Sequence, residues 1–105
     1  MLQSNQSLIN LGDIRQGSQI NHQFILKNTY PCSITITGVG ASCGCTKPLI
    51  SKLGVIDPNE EVIVTIVADT TGRSGLFSKT VYVHYVENNV NKTFSQSFKS
   101  NIILW

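Results

Sequence analysis

Ala41-Ser42-Cys43-Gly44-Cys45-Thr46-Lys47-Pro48 lies near the middle of the 105-residue chain and interrupts two long strand-like patterns. It holds two of the three cysteines, at the only Cys-x-Cys spacing in the sequence. On either side of it apolar residues recur at every second position, and no segment sustains a helical period. A period of two sets one face of a ribbon against a core and leaves the other in water. The chain therefore reads as all-β, with the cysteine stretch as a crossing between two groups of strands.

Upstream, Leu8-Ile9-Asn10-Leu11 reads as an opening strand closed by Gly12-Asp13, with a further turn at Gln16-Gly17-Ser18. Ile20, Phe24 and Leu26 then share a face opposite Gln19, Asn21, Gln23 and Lys27. His22 falls on the apolar parity, where a histidine is more often a hydrogen-bonded core or strand-end residue than a ligand. Asn28-Thr29-Tyr30-Pro31 is turn chemistry. Cys32, Ile34 and Ile36 alternate with Ser33, Thr35 and Thr37, and Gly38 and Gly40 signal a bulge or a close backbone approach.

Downstream, Leu49 to Gly54 reads as a short edge segment or a loop, and Asp57-Pro58-Asn59-Glu60 as a turn. Val62, Val64, Ile66 and Ala68 alternate with a second, partly apolar set, the pattern of a central strand covered or crowded on both faces. After the loop Asp69 to Gly75, Phe77, Val81, Val83 and Tyr85 mark another strand, with Thr80, Tyr82 and His84 on its other face. Glu87-Asn88-Asn89 makes a hairpin, and Thr93 to Leu104 supplies the last strand through Phe94, Phe98, Ile102 and Leu104. The expectation is an immunoglobulin-like β-sandwich of about seven antiparallel strands. It forms one domain over residues 1–105, with a closed barrel as the runner-up.

The composition, 41% hydrophobic and 13% charged, is that of a globular protein rather than a disordered tail. The net charge of +2 comes from scattered lysines and arginines with no two adjacent, which argues against a nucleic-acid groove. No apolar run approaches the roughly 20 residues of a membrane helix. The N-terminus shows no export signal, so the protein is expected to act where it is made unless such a signal has been removed.

Cys43 and Cys45 straddle Gly44, and in extended chain residues two apart point to the same side, so both sulfurs could address one soft ion such as Cu(I) or Zn(II). A zinc site usually needs four ligands, and only Cys32, His22 and His84 are left to complete it. A disulfide within Cys-x-Cys would close a very small ring and be redox-active rather than structural. The bland reading, weighted above both, is that these are small buried residues at a tight crossing. Catalysis has less support still. The carboxylates sit mainly in turns, Glu60 and Glu61 point to opposite faces of a strand, and no nucleophile elbow, phosphate loop or His-Glu-x-x-His occurs. The last strand ends in Ile102-Ile103-Leu104-Trp105, which either buries itself or presents Ile103 or Trp105 to a partner.

Taken in order, Phe24 to Thr29, Ile34 to Val39, Ala41 to Thr46, Ile56 to Glu60 and Gly72 to Phe77 resemble a bacterial domain-of-unknown-function family, number 1573. It carries a Ser-Cys-Gly-Cys-Thr signature and is related to the Ig-like domains named after ASPM, SPD-2 and Hydin. The resemblance implies a seven-stranded Ig-like sandwich with no known catalytic activity. Asn59 stands where the family usually has glycine. Such domains commonly follow an export or lipoprotein signal, which is not seen here.

The functional expectation is a non-enzymatic, stand-alone module that binds or reinforces a larger assembly of protein partners, as an accessory protein of a tailed phage (capsid decoration or tail component). It would locate to the virion in that case. The alternative is an envelope module, exported by a signal since removed, whose Cys43 and Cys45 hold a soft metal or exchange electrons.

Overall fold

The structure is a computed structural model, and it describes residues 2–6, 9–42 and 44–104. Nine strands run through them: β1 (Leu2–Ser4), β2 (Ile9–Arg15), β3 (Gln19–Asn28), β4 (Ile34–Ala41), β5 (Thr46–Ile50), β6 (Gly54–Ile56), β7 (Glu61–Asp69), β8 (Gly75–Glu87) and β9 (Val90–Ile103). They form a four-stranded sheet, β1-β3-β7-β5, packed on a five-stranded sheet, β2-β9-β8-β4-β6. This is an Ig-like β-sandwich. The excess over seven consists of short edge pieces, and one pair, β2 with β9, is parallel where an antiparallel pairing was expected.

The inward residues are those that the alternation marks. Ile20, Phe24 and Leu26 from β3 and Val62, Val64, Ile66 and Ala68 from β7 face Ile34, Ile36, Val81, Val83, Tyr85, Phe98 and Ile102 of the opposite sheet, all buried. Phe77 and Phe98 meet ring to ring at 6.1 Å. Fully burying side chains of this size contributes about 1.5–3 kcal/mol each, which is the main force closing the two sheets on each other.

Four sequence expectations need correction. Gly12-Asp13 does not close a strand: Gly12 takes a positive φ of 69° and makes a bulge, where the β2–β9 register shifts, and the strand continues to Arg15. Cys32 is exposed ahead of β4 rather than inward on it. Asn28 is not a surface turn residue but the fully buried end of β3. Its side-chain amide donates to the carbonyls of Cys32 and Ile56, and its oxygen accepts the N–H of Tyr30, so it holds the β3–β4 connection from inside. Leu104 is 67% exposed, beyond the end of β9.

A bulge is present just ahead of the Gly38–Gly40 stretch that signals one, between Ile36 and Gly38, and the Asp57–Glu60 turn is present with Asn59 at φ 67°. Asn59 serves in the glycine position because its short polar side chain tolerates the left-handed region. Asn88 and Asn89, at φ 53° and 62°, form the two-residue hairpin between β8 and β9, with Glu87 paired to Val90.

Candidate functional site

The cysteine stretch carries the chain from the five-stranded sheet to the four-stranded one. Ser42 anchors its start: its N–H donates to the Thr80 carbonyl at 2.9 Å, and its hydroxyl accepts the Thr80 N–H at 3.1 Å. Cys45 anchors its end by accepting the Asp69 N–H at 3.0 Å through its carbonyl. The Cys45 sulfur lies 3.7 Å from the Thr46 hydroxyl and is disulfide-bonded, whereas Cys32 is a free thiol. Cys43 lies outside the described residues.

The other soft ligands in the sequence do not converge on this crossing. Cys32 stands at the opposite end of β4, roughly 30 Å from Ser42 at ~3.3 Å of rise per residue. His22 belongs to β3, in the other sheet, where its ring nitrogen is bonded to Gln6 at 2.8 Å as a satisfied, half-buried group. His84 faces outward on β8 and bonds Thr93 across the strand pair at 3.1 Å. Among the described residues, no three histidine, cysteine or acidic side chains gather where they could hold a metal ion.

The C-terminal candidates separate as well. Ile103 is half-buried, pairs with Arg15, and accepts the Gln16 N–H at 2.7 Å, so the sheet holds it. Trp105 lies outside the described residues.

The outer faces of the two sheets differ in chemistry. On the five-stranded sheet β8 and β9 present Ser78, Thr80, Tyr82 and His84 beside Lys99, Ser97, Ser95 and Thr93, and β4 adds Gly38 and Gly40. The outer face of the four-stranded sheet carries aliphatic side chains on either side of a central Thr65, which Gln23 faces from β3. Ile25 lies opposite Ile63, and Leu49 opposite Thr65 with Val67 adjoining, so a stripe crosses β3, β7 and β5. Ile63 is 43% and Leu49 51% exposed. The mixed apolar pattern of β7 thus marks an uncovered face, where the sequence suggested a covered one. The signal was present, but alternation cannot say whether anything lies on top.

Glu60 and Asp69 have displaced acidities, both in turns. The N–H of Asp57 and then the Lys52 ammonium, 2.9 Å away, hold Glu60 below its ordinary value. The N–H and then the hydroxyl of Thr71 do the same for Asp69. These are turn-locking contacts, with each carboxylate occupied by its own loop.

The sequence profile of the family described as "Protein of unknown function (DUF1573)" matches residues 2–102. No curated protein matches the chain in sequence. Among solved structures it is similar to the Vibrio cholerae VesB protease, at 17% identity and a TM-score of 0.78 over 95% of this chain. It spans only 31% of that protease chain. It also resembles the ASH/PapD-like domain 7 of human CEP192, at 9% identity and a TM-score of 0.73, covering 99% of this chain and 86% of that one. A protein of unknown function from Porphyromonas gingivalis W83 matches at 11% identity and a TM-score of 0.67, over 95% of this chain and 46% of that one. At these identities the likeness is one of fold.

Proposed function

The chain belongs to the DUF1573 family, and from that premise we propose that it is a non-enzymatic Ig-like module that binds a protein partner within a larger assembly. One observation carries the reading: the aliphatic stripe Ile25, Ile63, Leu49 and Val67 on the outside of the four-stranded sheet. Exposed aliphatic side chains that adjoin across three strands mark a docking face more than scattered ones do. A tailed-phage particle, with the chain as capsid decoration or tail component, is the assembly we propose for it.

The test compares the wild-type chain with an Ile63→Asp, Leu49→Asp variant as bait in lysate of the source cell. The expected result is a specific partner that the variant loses while keeping its β-sheet circular-dichroism spectrum. A partner retained by the variant would overturn the assignment of this face. Genes for capsid, portal or tail proteins beside the coding gene would support the virion setting.

A second reading is favoured by the disulfide at Cys45. Disulfides persist in oxidising compartments, which suits an envelope module whose Cys43 and Cys45 undergo thiol exchange or, once reduced, bind a soft metal. Alkylation of the unreduced protein is expected to label Cys32 and spare Cys45. Labelling of Cys45 would remove the support for this reading.

A further inference from the structure

The chain holds three cysteines, of which Cys45 is disulfide-bonded and Cys32 is a free thiol at the far end of β4. Within one chain the partner of Cys45 is therefore Cys43, and the bond closes over Gly44 alone. Tying residues this close in sequence restricts little of the unfolded chain, so such a bond is a poor structural staple. Gly44 leaves it bare. The residue is exposed, its φ lies outside the left-handed region, and a Cβ placed on it would meet nothing within 4 Å. Neither the backbone nor packing calls for glycine here, and its effect is an uncovered ring that a thiolate can reach.

Thr46 distinguishes one sulfur from the other. It is buried, and its hydroxyl lies within hydrogen-bonding reach of the Cys45 sulfur at 3.7 Å. A disulfide sulfur carries no hydrogen, so the hydroxyl donates. It is thus in place to stabilise a thiolate at Cys45 when the ring opens, and a better-stabilised thiolate leaves faster. The flanks of the ring do not depend on the bond. Ser42 is held by Thr80 and the Cys45 carbonyl by the Asp69 N–H, so the segment keeps both anchors after reduction.

Resting on the envelope reading, in which this pair exchanges thiols, we propose that Cys43–Cys45 donates its disulfide to a dithiol in a reduced polypeptide, with Cys43 attacked and Cys45 leaving. A substrate thiolate attacks the Cys43 sulfur. The Cys43–Cys45 bond breaks, its electron pair goes to Cys45, and a mixed disulfide joins the substrate to Cys43. The substrate's second thiolate then attacks the substrate sulfur of that bond and expels Cys43 as a thiolate. The substrate departs as a disulfide, oxidised by two electrons, and its two thiol protons end on Cys43 and Cys45. The protein is itself the oxidant. A monothiol does this poorly, because Cys45, one residue removed and held by Asp69, recaptures Cys43 and expels it. Only a second thiol tethered to the first competes with that recapture. An exposed crossing also admits a substrate too bulky for a pocket, as a polypeptide is.

The test uses the oxidised full chain with Cys32→Ser, whose only cysteines are Cys43 and Cys45. Alkylation before reduction checks the underlying reading: label on Cys45 overturns that reading and the proposal together. Mixed with reduced, unfolded ribonuclease A, the protein is expected to gain thiols as the ribonuclease loses them. Dithiothreitol should react likewise, and glutathione at equal thiol concentration should reduce the pair roughly tenfold more slowly or worse. Acid quenching of the glutathione reaction should leave the adduct on Cys43 in a peptide mass map. Thr46→Val should slow transfer roughly tenfold at neutral pH and shift its pH profile, through loss of a hydrogen bond to a charged leaving group. Thr46→Ser should restore both. Unoxidised ribonuclease, glutathione as fast as dithiothreitol, an adduct on Cys45, or wild-type transfer by Thr46→Val would each overturn the proposal and leave the envelope reading standing.

Discussion

The two halves of β9 are one continuous strand in two different situations. Phe98 to Ile103 lies between β2 and β8, with Phe98 and Ile102 buried, whereas among the described residues the only strand that Val90 to Ser97 pairs with is β8. The cause is local. The chain preceding β2 belongs to the other sheet, as β1 against β3, and β2 joins β9 only from Phe98 onward. One half is therefore structural interior, and the other is a surface with its hydrogen-bonding groups on display. Strand propensity does not separate them, since each carries one phenylalanine among mostly polar residues; the neighbouring strands do.

Substitutions that strike matched positions in the two halves measure that difference. Phe98→Ala should cost about 3–5 kcal/mol in chemical denaturation, as a buried phenylalanine leaves a cavity. Phe94→Ala, half-buried, should cost about 1–2 kcal/mol. Equal losses would erase the distinction. Proline separates them next. Asn101→Pro, opposite Asp13 of β2, removes a ladder bond and should lose about 3 kcal/mol. Ser95→Pro should lower stability by less than about 1 kcal/mol, because its N–H faces away from β8 and no strand among the described residues pairs with it there. That parity follows from Thr80, whose N–H and C=O turn to Ser42 and not to β9.

Smaller still is Asn89→Gly at the hairpin tip, where φ is 62°; it should stabilise by about 0.5 kcal/mol in a thermal melt, since glycine carries no penalty there. Acid provides the weakest contrast. Glu60 and Asp69 both have acidities below their ordinary values of 4.5 and 3.8 in the folded chain. Their stabilisation is therefore complete above those values and is lost as the pH falls through the lower folded ones. Both sit in turns at the ends of β7 rather than in β9. A titration from pH 5 to 2 should loosen those turns before it alters either half of β9.

Where alternation was long and one face was buried, the sequence carried the fold: β3, β7 and β8 and their inward residues could be read directly. The cost of placing the wrong parity in the core is high enough to leave a clear pattern. Short edge strands leave none, which is why Leu2–Ser4 went unread and Gly12 looked like an ending. The parallel pairing of β2 was also invisible, because non-local pairing has no local signature.

The candidate site was less legible for a related reason. The spacing of Cys43 and Cys45 shows what they could bind only if other ligands arrive, and the fold sends Cys32, His22 and His84 elsewhere. The aliphatic face on β7 left a mark in the sequence, but a covered face and an uncovered one share it.

Residue-resolved amide exchange along β9 tests the contrast between its two halves most directly. In dilute protein the amides of Lys92 and Phe94, which face β8, should exchange slowly, and those of Thr93 and Ser95 rapidly. Equal protection of all four would contradict the account.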